Sequence, residues 1–393
     1  VINMKICVLM QEIQSLGGVQ RVVTTMLNRL VELENCEVYI LAPEYGKSEV
    51  LYPVKKEIHC VNDFTLRKKA NFLQRAIKKV NSETAFLEKI NAVDICDKLY
   101  FSESMLKGYV KFLTDNRITC IVGAGAYYSI LAAKIAKRTN IKCIAWMHSP
   151  YESYFETPKH GTYGLRSVFL RYAPFMNHFF VLTKKDKEIF TKKVSTLKTE
   201  IEVLYNPLTL DVNRISKLNS KSILFVGRLS IEHKGIDRLI PIMRRVLSWD
   251  PDVKLEVVGD GGDKQYLIQE IKRNHLENSI KLVGLSNNVA EYYQNASVLL
   301  VTSRYEGFGL VITEALAHGV PVVAFNAYGP DEIIRNCKDG FLVTQDHIDE
   351  YADKVISLLS DIEMRNSMSK NARERALDFS LDIIMKQFIK VLE

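Results

Sequence analysis

Apolar residues fall along the chain in short runs, and between them lie stretches with helical spacing. Met4–Met10 reads as a buried strand, a Gly17-Gly18 turn follows, and Val19–Glu34 reads as a helix. In that helix Val22, Val23, Met26, Leu27 and Leu30 recur at the helical period. Val38–Ala42 is a second strand. Ile118–Val122 leads into a glycine turn and a helix over Tyr127–Lys137. Ile141–Met147, Phe179–Leu182 and Ile201–Leu204 continue the series. Short apolar strands separated by helices predict a parallel sheet covered on both faces.

After Asn206-Pro207 the pattern lapses into the polar stretch Asp211–Lys221, which places a linker over 208–221. A second alternation then begins. Strands are expected at Ser222–Val226, Lys254–Val258, Ile280–Val283, Val298–Thr302, Val320–Phe325 and Gly340–Val343. Four of them run into Gly or Ser at the carboxyl side, the edge where open parallel sheets bind ligands. The fold class expected is α/β, with two tandem doubly wound Rossmann-like domains facing a cleft. Phe379–Leu392 reads as a closing helix with Leu381, Ile384 and Phe388 on one face.

Composition adds limits. A chain of 393 residues allows two or three domains at roughly 150 residues each. No apolar run reaches the ~18 residues of a membrane span, and the opening residues lack a leader pattern. Seven scattered cysteines without a Cys-x-x-Cys pair suggest reduced thiols and a cytoplasmic protein. Charge is uneven: residues 1–200 carry +11 and residues 201–393 carry −4. Two domains with different partners fit that split. Within 66–80, Leu66, Ala70, Leu73, Ile77 and Val80 form a stripe amid Lys and Arg. Such a helix either packs on the sheet with a solvated basic face or lies on an anionic membrane.

The richest segment is Ser303–Ala317. Glu306 lies in the loop after the strand Val298–Thr302, and Gly307 and Gly309 permit close backbone approach to a ligand. A helix starting near Gly309 or Leu310 offers its free N–H groups to an anion such as a diphosphate. Glu314, about one turn further on, suits sugar or ribose hydroxyls better than phosphate. Both acids could instead be ordinary helix-start carboxylates.

This segment resembles the Glu-x7-Glu motif of glycosyltransferase family 4, whose members are retaining enzymes of the GT-B fold. The likeness extends to Val226-Gly227-Arg228-Leu229-Ser230 with Lys234-Gly235, to Leu255–Gly262, to Val283-Gly284, to His318–Val323 and to Gly329–Ile334. In the first half it rests on Gly17-Gly18, His148 and Asn206-Pro207. The resemblance implies a first, acceptor-binding domain over 4–207, completed by a C-terminal helix at about 376–393. It implies a donor-binding domain over 222–375. Arg228 and Lys234 would neutralise the diphosphate of a nucleotide-sugar, with a UDP-hexose favoured, without a metal. Glu306, with the backbone of Gly307, Phe308, Gly309 and Leu310, would contact the transferred sugar. Glu314 would hold the ribose, and Gly227 and Val283 would border the nucleotide. Gly17 and Gly18 would lie against the diphosphate, or form only a tight turn. His148 would face the reacting centre, or be a structural histidine.

The implied function is transfer of a hexosyl group, with retention, to a glycan or lipid-linked acceptor in cell-surface polysaccharide or lipopolysaccharide biosynthesis. Peripheral contact with the inner face of the cell membrane through about 66–80 goes with it. A nucleotide-sugar 2-epimerase on the same fold and a non-catalytic nucleotide-sugar-binding or membrane scaffold are the alternatives. Nucleic-acid binding is disfavoured, because the basic run lacks stacking aromatics beyond Phe64 and Phe72. Asp250-Pro251-Asp252 mimics a metal-binding Asp-x-Asp, but it precedes a strand, and its proline marks a turn. No metal-ligand spacing, serine elbow or Walker loop is present.

Overall fold

The computed structural model of the protein describes residues 4–14, 17–32, 36–43, 52–66, 71–159 and 161–392. The chain forms two compact units, Val1–Tyr205 with Ile384–Glu393, and Asn206–Ile383.

The first unit is built on a seven-stranded parallel sheet. Its strands are β1 (Met4–Leu9), β2 (Cys36–Ala42), β3 (His59–Asn62), β4 (Cys120–Ala124), β5 (Lys142–Trp146), β6 (His178–Val181) and β7 (Ile201–Val203). They run in the order β3-β2-β1-β4-β5-β6-β7. The central strands are near-continuous apolar runs because helices cover both faces. The helix Ala126–Thr139 is the extreme case, buried at all nine positions from Tyr128 to Ala136, of which Ser129 and Lys134 are the strongly polar ones. Each strand expected from the pattern is present, with ends shifted by at most two residues. β3 was not anticipated; it is four residues long, half-exposed and polar at both ends.

The second unit carries a six-stranded parallel sheet. Its strands are β8 (Ser222–Val226), β9 (Lys254–Val258), β10 (Ile280–Gly284), β11 (Val298–Val301), β12 (Val322–Phe325) and β13 (Gly340–Val343). The order β10-β9-β8-β11-β12-β13 reverses direction between β8 and β11. At such a switch point the loops leaving neighbouring strands go to opposite faces and leave a crevice at the carboxyl edge.

The last helix, Leu381–Lys390, carries the chain back to the first unit. There Phe388 meets the Trp146 ring at 5.6 Å, and Gln387 Nε2 donates to the Val203 carbonyl at 2.7 Å. The changeover lies after Ile383 because Phe379 still belongs to the second unit. Its ring meets Phe308 at 5.8 Å, and its carbonyl accepts from Leu208 N–H at 2.7 Å. All seven cysteines are free thiols, and burial pushes those of Cys96 and Cys120 up to about 12.

The basic segment differs from the expected helix over 66–80. Residues 67–70 lie outside the described part of the chain, and the helix runs from Phe72 to Thr84. A capping box sets its start: Asn71 accepts from Gln74 N–H, and the Gln74 side chain accepts from Asn71 N–H. Of the expected stripe, Leu66 and Ile77 pack on the core, and Ala70 lies outside the described residues. Leu73 and Val80 are exposed, and Phe72 is 82% exposed. Among the described residues no helix is long and apolar enough to cross a membrane.

Candidate functional site

The site residues of the second unit gather on the loops leaving β8 and β11, the two strands flanking its switch point. Gly227 and Arg228 follow β8 directly, and Gly227 N–H donates to the Val258 carbonyl at 3.0 Å. Arg228 is exposed and has no ion-pair partner among the described residues. A single helical turn, Ile231–Lys234, comes next, capped by the Ser230 hydroxyl. Gly235 ends it at φ +60, in the left-handed region where a side chain is strained. A Cβ there would also meet the Thr302 carbonyl oxygen at 2.3 Å. The glycine therefore lets the lysine turn press against the end of β11.

That contact brings Lys234 to Glu306. The Lys234 ammonium pairs with Glu306 Oε2, and Ser303 Oγ donates to the same oxygen at 3.2 Å. Both side chains are partly shielded from water, at 23% and 12% exposure. Arg304 locks the two loops together. Its guanidinium grips Asp237 with two bonds of 2.7 Å and donates to the Ile231 carbonyl at 2.7 Å. Its N–H donates to the His233 carbonyl at 2.9 Å. Burial works to raise the Asp237 carboxyl, but the Arg304 guanidinium outweighs it and leaves it below the usual carboxylate range.

Beyond Glu306 the chain passes through Gly307 and Phe308 to Gly309, which precedes the helix Leu310–Ala317 at φ +105. The Phe308 side chain turns into the core against Phe379, so only its backbone is left for a ligand. The helix has no acid in its first turn and no side-chain cap. Glu314 lies on it, 1% exposed. The Tyr293 hydroxyl donates to Glu314 Oε2 at 2.9 Å, and His318 Nδ1 lies 2.8 Å from the Glu314 carbonyl oxygen. Val283 is the bulged residue of β10, where pairing with β9 shifts between Leu282 and Gly284.

In the first unit, Gly17 and Gly18 open the helix Gly18–Leu30, which has no acid in its first turn and no side-chain cap. Gly17 is extended, at φ −163, so its backbone does not demand glycine. Ser15 and Leu16 lie outside the described residues. His148 follows β5. Its N–H donates to Tyr154 Oη at 3.0 Å, and its ring lies 4.5 Å from that of Trp146. Neither ring nitrogen has a hydrogen-bond partner among the described residues. Burial pushes the imidazole down to about 3, so it is neutral at pH 7.

The structure thus brings Lys234 and Glu306 into contact and sets Arg228 and Glu314 on the loop and helix that follow the same two strands. Gly17, Gly18 and His148 belong to the other unit. Sequence reasoning missed Arg304, Asp237, Ser303 and Tyr293. Arg304 stands next to the glycine-rich loop, but its partner is 67 residues away. The Asp250/Asp252 turn lies at the amino end of β9, away from the ligand edge. There Asp250 pairs with Lys221 at 2.6 Å and accepts from Asp252 N–H at 3.0 Å. Among the described residues no three His, Cys, Asp or Glu side chains are grouped to hold a metal ion.

Comparison with known proteins identifies the family and the fold. The family model described as Glycosyl transferases group 1 matches residues 211–375, and that of Glycosyltransferase Family 4 matches residues 16–212. A Haemophilus influenzae protein described as an uncharacterized glycosyltransferase is 30% identical over 299 residues, which cover 75% of this chain and 81% of that one. The amylovoran biosynthesis glycosyltransferase AmsD of Erwinia amylovora is 31% identical over 220 residues, covering 54% of this chain and 61% of its own. Among solved structures, Anabaena HepE in complex with UDP superposes with a TM-score of 0.75 at 20% identity, covering 99% of both chains. The two Rossmann-like units are those of a GT-B fold, and the chain belongs to glycosyltransferase family 4.

Proposed function

We propose that the protein transfers a hexosyl group from a UDP-sugar to a glycan or lipid-linked acceptor, with retention of anomeric configuration and without a metal. The observation that carries this reading is the placement of Arg228, Lys234, Glu306 and Glu314 on the loops and helix that follow the two switch-point strands. Two cations there suit a departing diphosphate, which gains negative charge as the sugar leaves. The uncapped start of the helix Leu310–Ala317 adds backbone donors. Glu306 is placed for sugar hydroxyls and Glu314 for those of the ribose. Gly227 and Val283 border the nucleotide in this reading. For the first unit, this reading keeps Gly17, Gly18 and His148 as the ligand-contacting residues.

In the reaction, the bond from the anomeric carbon to the diphosphate oxygen breaks and a bond to the acceptor oxygen forms on the same face. The acceptor proton passes to the departing phosphate. Lys234 and Arg228 stabilise the charge left on the diphosphate. The neutral His148 ring can take part only as a hydrogen-bonding group, not as a cation. AmsD is named for amylovoran biosynthesis, and HepE holds UDP. Those names favour polysaccharide assembly and a uridine donor for this chain as well.

The reading places the protein in the cytoplasm, on the inner face of the membrane. The helix Phe72–Thr84 supports that contact. Phe72, Leu73, Ala76 and Val80 form an exposed apolar strip, and Arg75 and Lys79 run along its edge. An apolar strip edged by cations is the pattern of an interfacial helix on anionic lipid.

The test is a transfer assay with UDP-hexoses and short glycan acceptors in excess EDTA, with the product's anomeric configuration read by NMR. An α-linked product from an α-linked donor is expected. An inverted product, or transfer only after Mn²⁺ or Mg²⁺ is restored, overturns the reading.

A further inference from the structure

We propose that Tyr293 is a positioning residue for the donor: its hydroxyl holds the Glu314 carboxylate in the orientation that receives the ribose hydroxyls. The inference rests on the reading of Glu314 as the ribose carboxylate and adds the residue that aims it.

Tyr293 lies on the short helix Val289–Asn295, which precedes β11, and is fully buried. Its hydroxyl donates to Glu314 Oε2 at 2.9 Å and lies farther, at 3.4 Å, from the Val311 carbonyl. A phenol has one proton to give, and the shorter bond takes it to the charged acceptor. The Tyr293 ring stacks on His318, with centroids 5.2 Å apart and planes 26° from parallel. His318 is fully buried and is tied by Nδ1 to the Glu314 carbonyl oxygen at 2.8 Å. One stacked pair therefore fixes Glu314 twice, Tyr293 at the carboxylate and His318 at the main chain.

A carboxylate this deeply buried must be met by donors, or it would turn away or take up a proton. A carboxylate offers about four acceptor positions, more than the Tyr293 hydroxyl can fill, and the proposal assigns the ribose hydroxyls to the same group. Tyr293 acts through Glu314, the group its hydroxyl touches. Its contribution is to spare the ribose the task of ordering the carboxylate.

The experiment compares the affinities of UDP and 2′,3′-dideoxy-UDP, which lacks both ribose hydroxyls, by calorimetry. The wild type should favour UDP. Tyr293→Phe keeps the ring on His318 and removes only the hydroxyl. It should weaken UDP about tenfold, leave the dideoxy compound within about twofold, and raise KM for the donor more than it lowers kcat. A merely structural tyrosine would weaken both nucleotides equally, and that result overturns the proposal. If Tyr293→Phe fails to fold, Tyr293→Met is judged by the same ratio. Glu314→Ala separates the two levels of the argument. If it leaves the preference for UDP at the wild-type value, the ribose reading fails. If it abolishes the preference while the Tyr293 variants keep it, only the positioning role fails.

Discussion

Lys234 and Glu306, 72 residues apart in sequence, form an ion pair that joins the loop after β8 to the loop after β11. In the proposed function this pair neutralises the lysine that is to attract the diphosphate. Donor binding therefore competes with an internal carboxylate before it gains the cation. Glu306→Gln removes that competitor, and UDP, which lacks the sugar, should bind about three- to tenfold more tightly to this variant. Sugar transfer should fall about a hundredfold, because the carboxylate that meets the sugar is lost. Calorimetry and initial rates measure the two effects. Weaker UDP binding by Glu306→Gln would show that the pair organises the site and does not compete with the ligand.

Arg304 carries the geometry of that pair. Without its fork the β8 loop loses three side-chain bonds to the β11 loop, one at Ile231 and two at Asp237. Arg304→Ala should weaken UDP about tenfold, with an unfolding free energy lowered by about 1–3 kcal/mol. Arg304→Lys should recover little, since an ammonium cannot span both Asp237 oxygens and the Ile231 carbonyl. Full recovery by lysine would reduce the role of Arg304 to its charge.

His148 gives a pH dependence with a definite sign. Its folded pKa, about 3, lies below the ordinary value of 6.5. Between those values the unfolded chain holds a proton that the folded site refuses. The contribution is fully present above pH 6.5 and is lost as pH falls toward 3, by up to about 1.4 kcal/mol per pH unit. His148→Asn should flatten the fall in stability between pH 6.5 and 4.5, as followed by urea unfolding. An unchanged slope would mean that His148 takes up a proton in the folded protein.

The exposed strip on Phe72–Thr84 predicts lipid binding. Vesicles containing phosphatidylglycerol should sediment the protein, and purely zwitterionic vesicles should not. Replacing Phe72 and Leu73 with serine should weaken the binding about tenfold without changing UDP affinity. Equal sedimentation by the double variant would remove this helix from the contact.

The strands and the glycine turns of the second unit were legible in the sequence because each is a local signal. A run such as Ser222–Val226 ends at Gly227, and Gly309 announces the helix that carries Glu314. Positions on one helix or one loop can be counted along the chain. The partners of those positions cannot: Tyr293 and Glu314 lie 21 residues apart on different elements, and Arg304 meets Asp237 across a sheet edge. β3 escaped notice because a four-residue edge strand with His59 and Asn62 at its ends carries no apolar run. On Phe72–Thr84 the apolar stripe does not choose between packing on the sheet and facing outward: Ile77 packs, while Leu73 and Val80 are exposed. Asn81, fixed between Leu87 N–H and the Gly164 carbonyl, sets which face turns inward. No count of apolar positions contains that choice.

In the proposed function the loops leaving β8 and β11 bind a uridine diphosphate without a metal, its charge met by side-chain cations and by the backbone donors of the helix Leu310–Ala317. The most direct measurement is a calorimetric titration of UDP, with GDP and ADP alongside, into the wild type and Arg228→Ala, with EDTA present throughout. The account predicts that UDP binds the wild type in preference to the other two and that Arg228→Ala weakens it about tenfold or more. Binding that appears only with Mn²⁺ or Mg²⁺, or equal affinity in the two proteins, would contradict it.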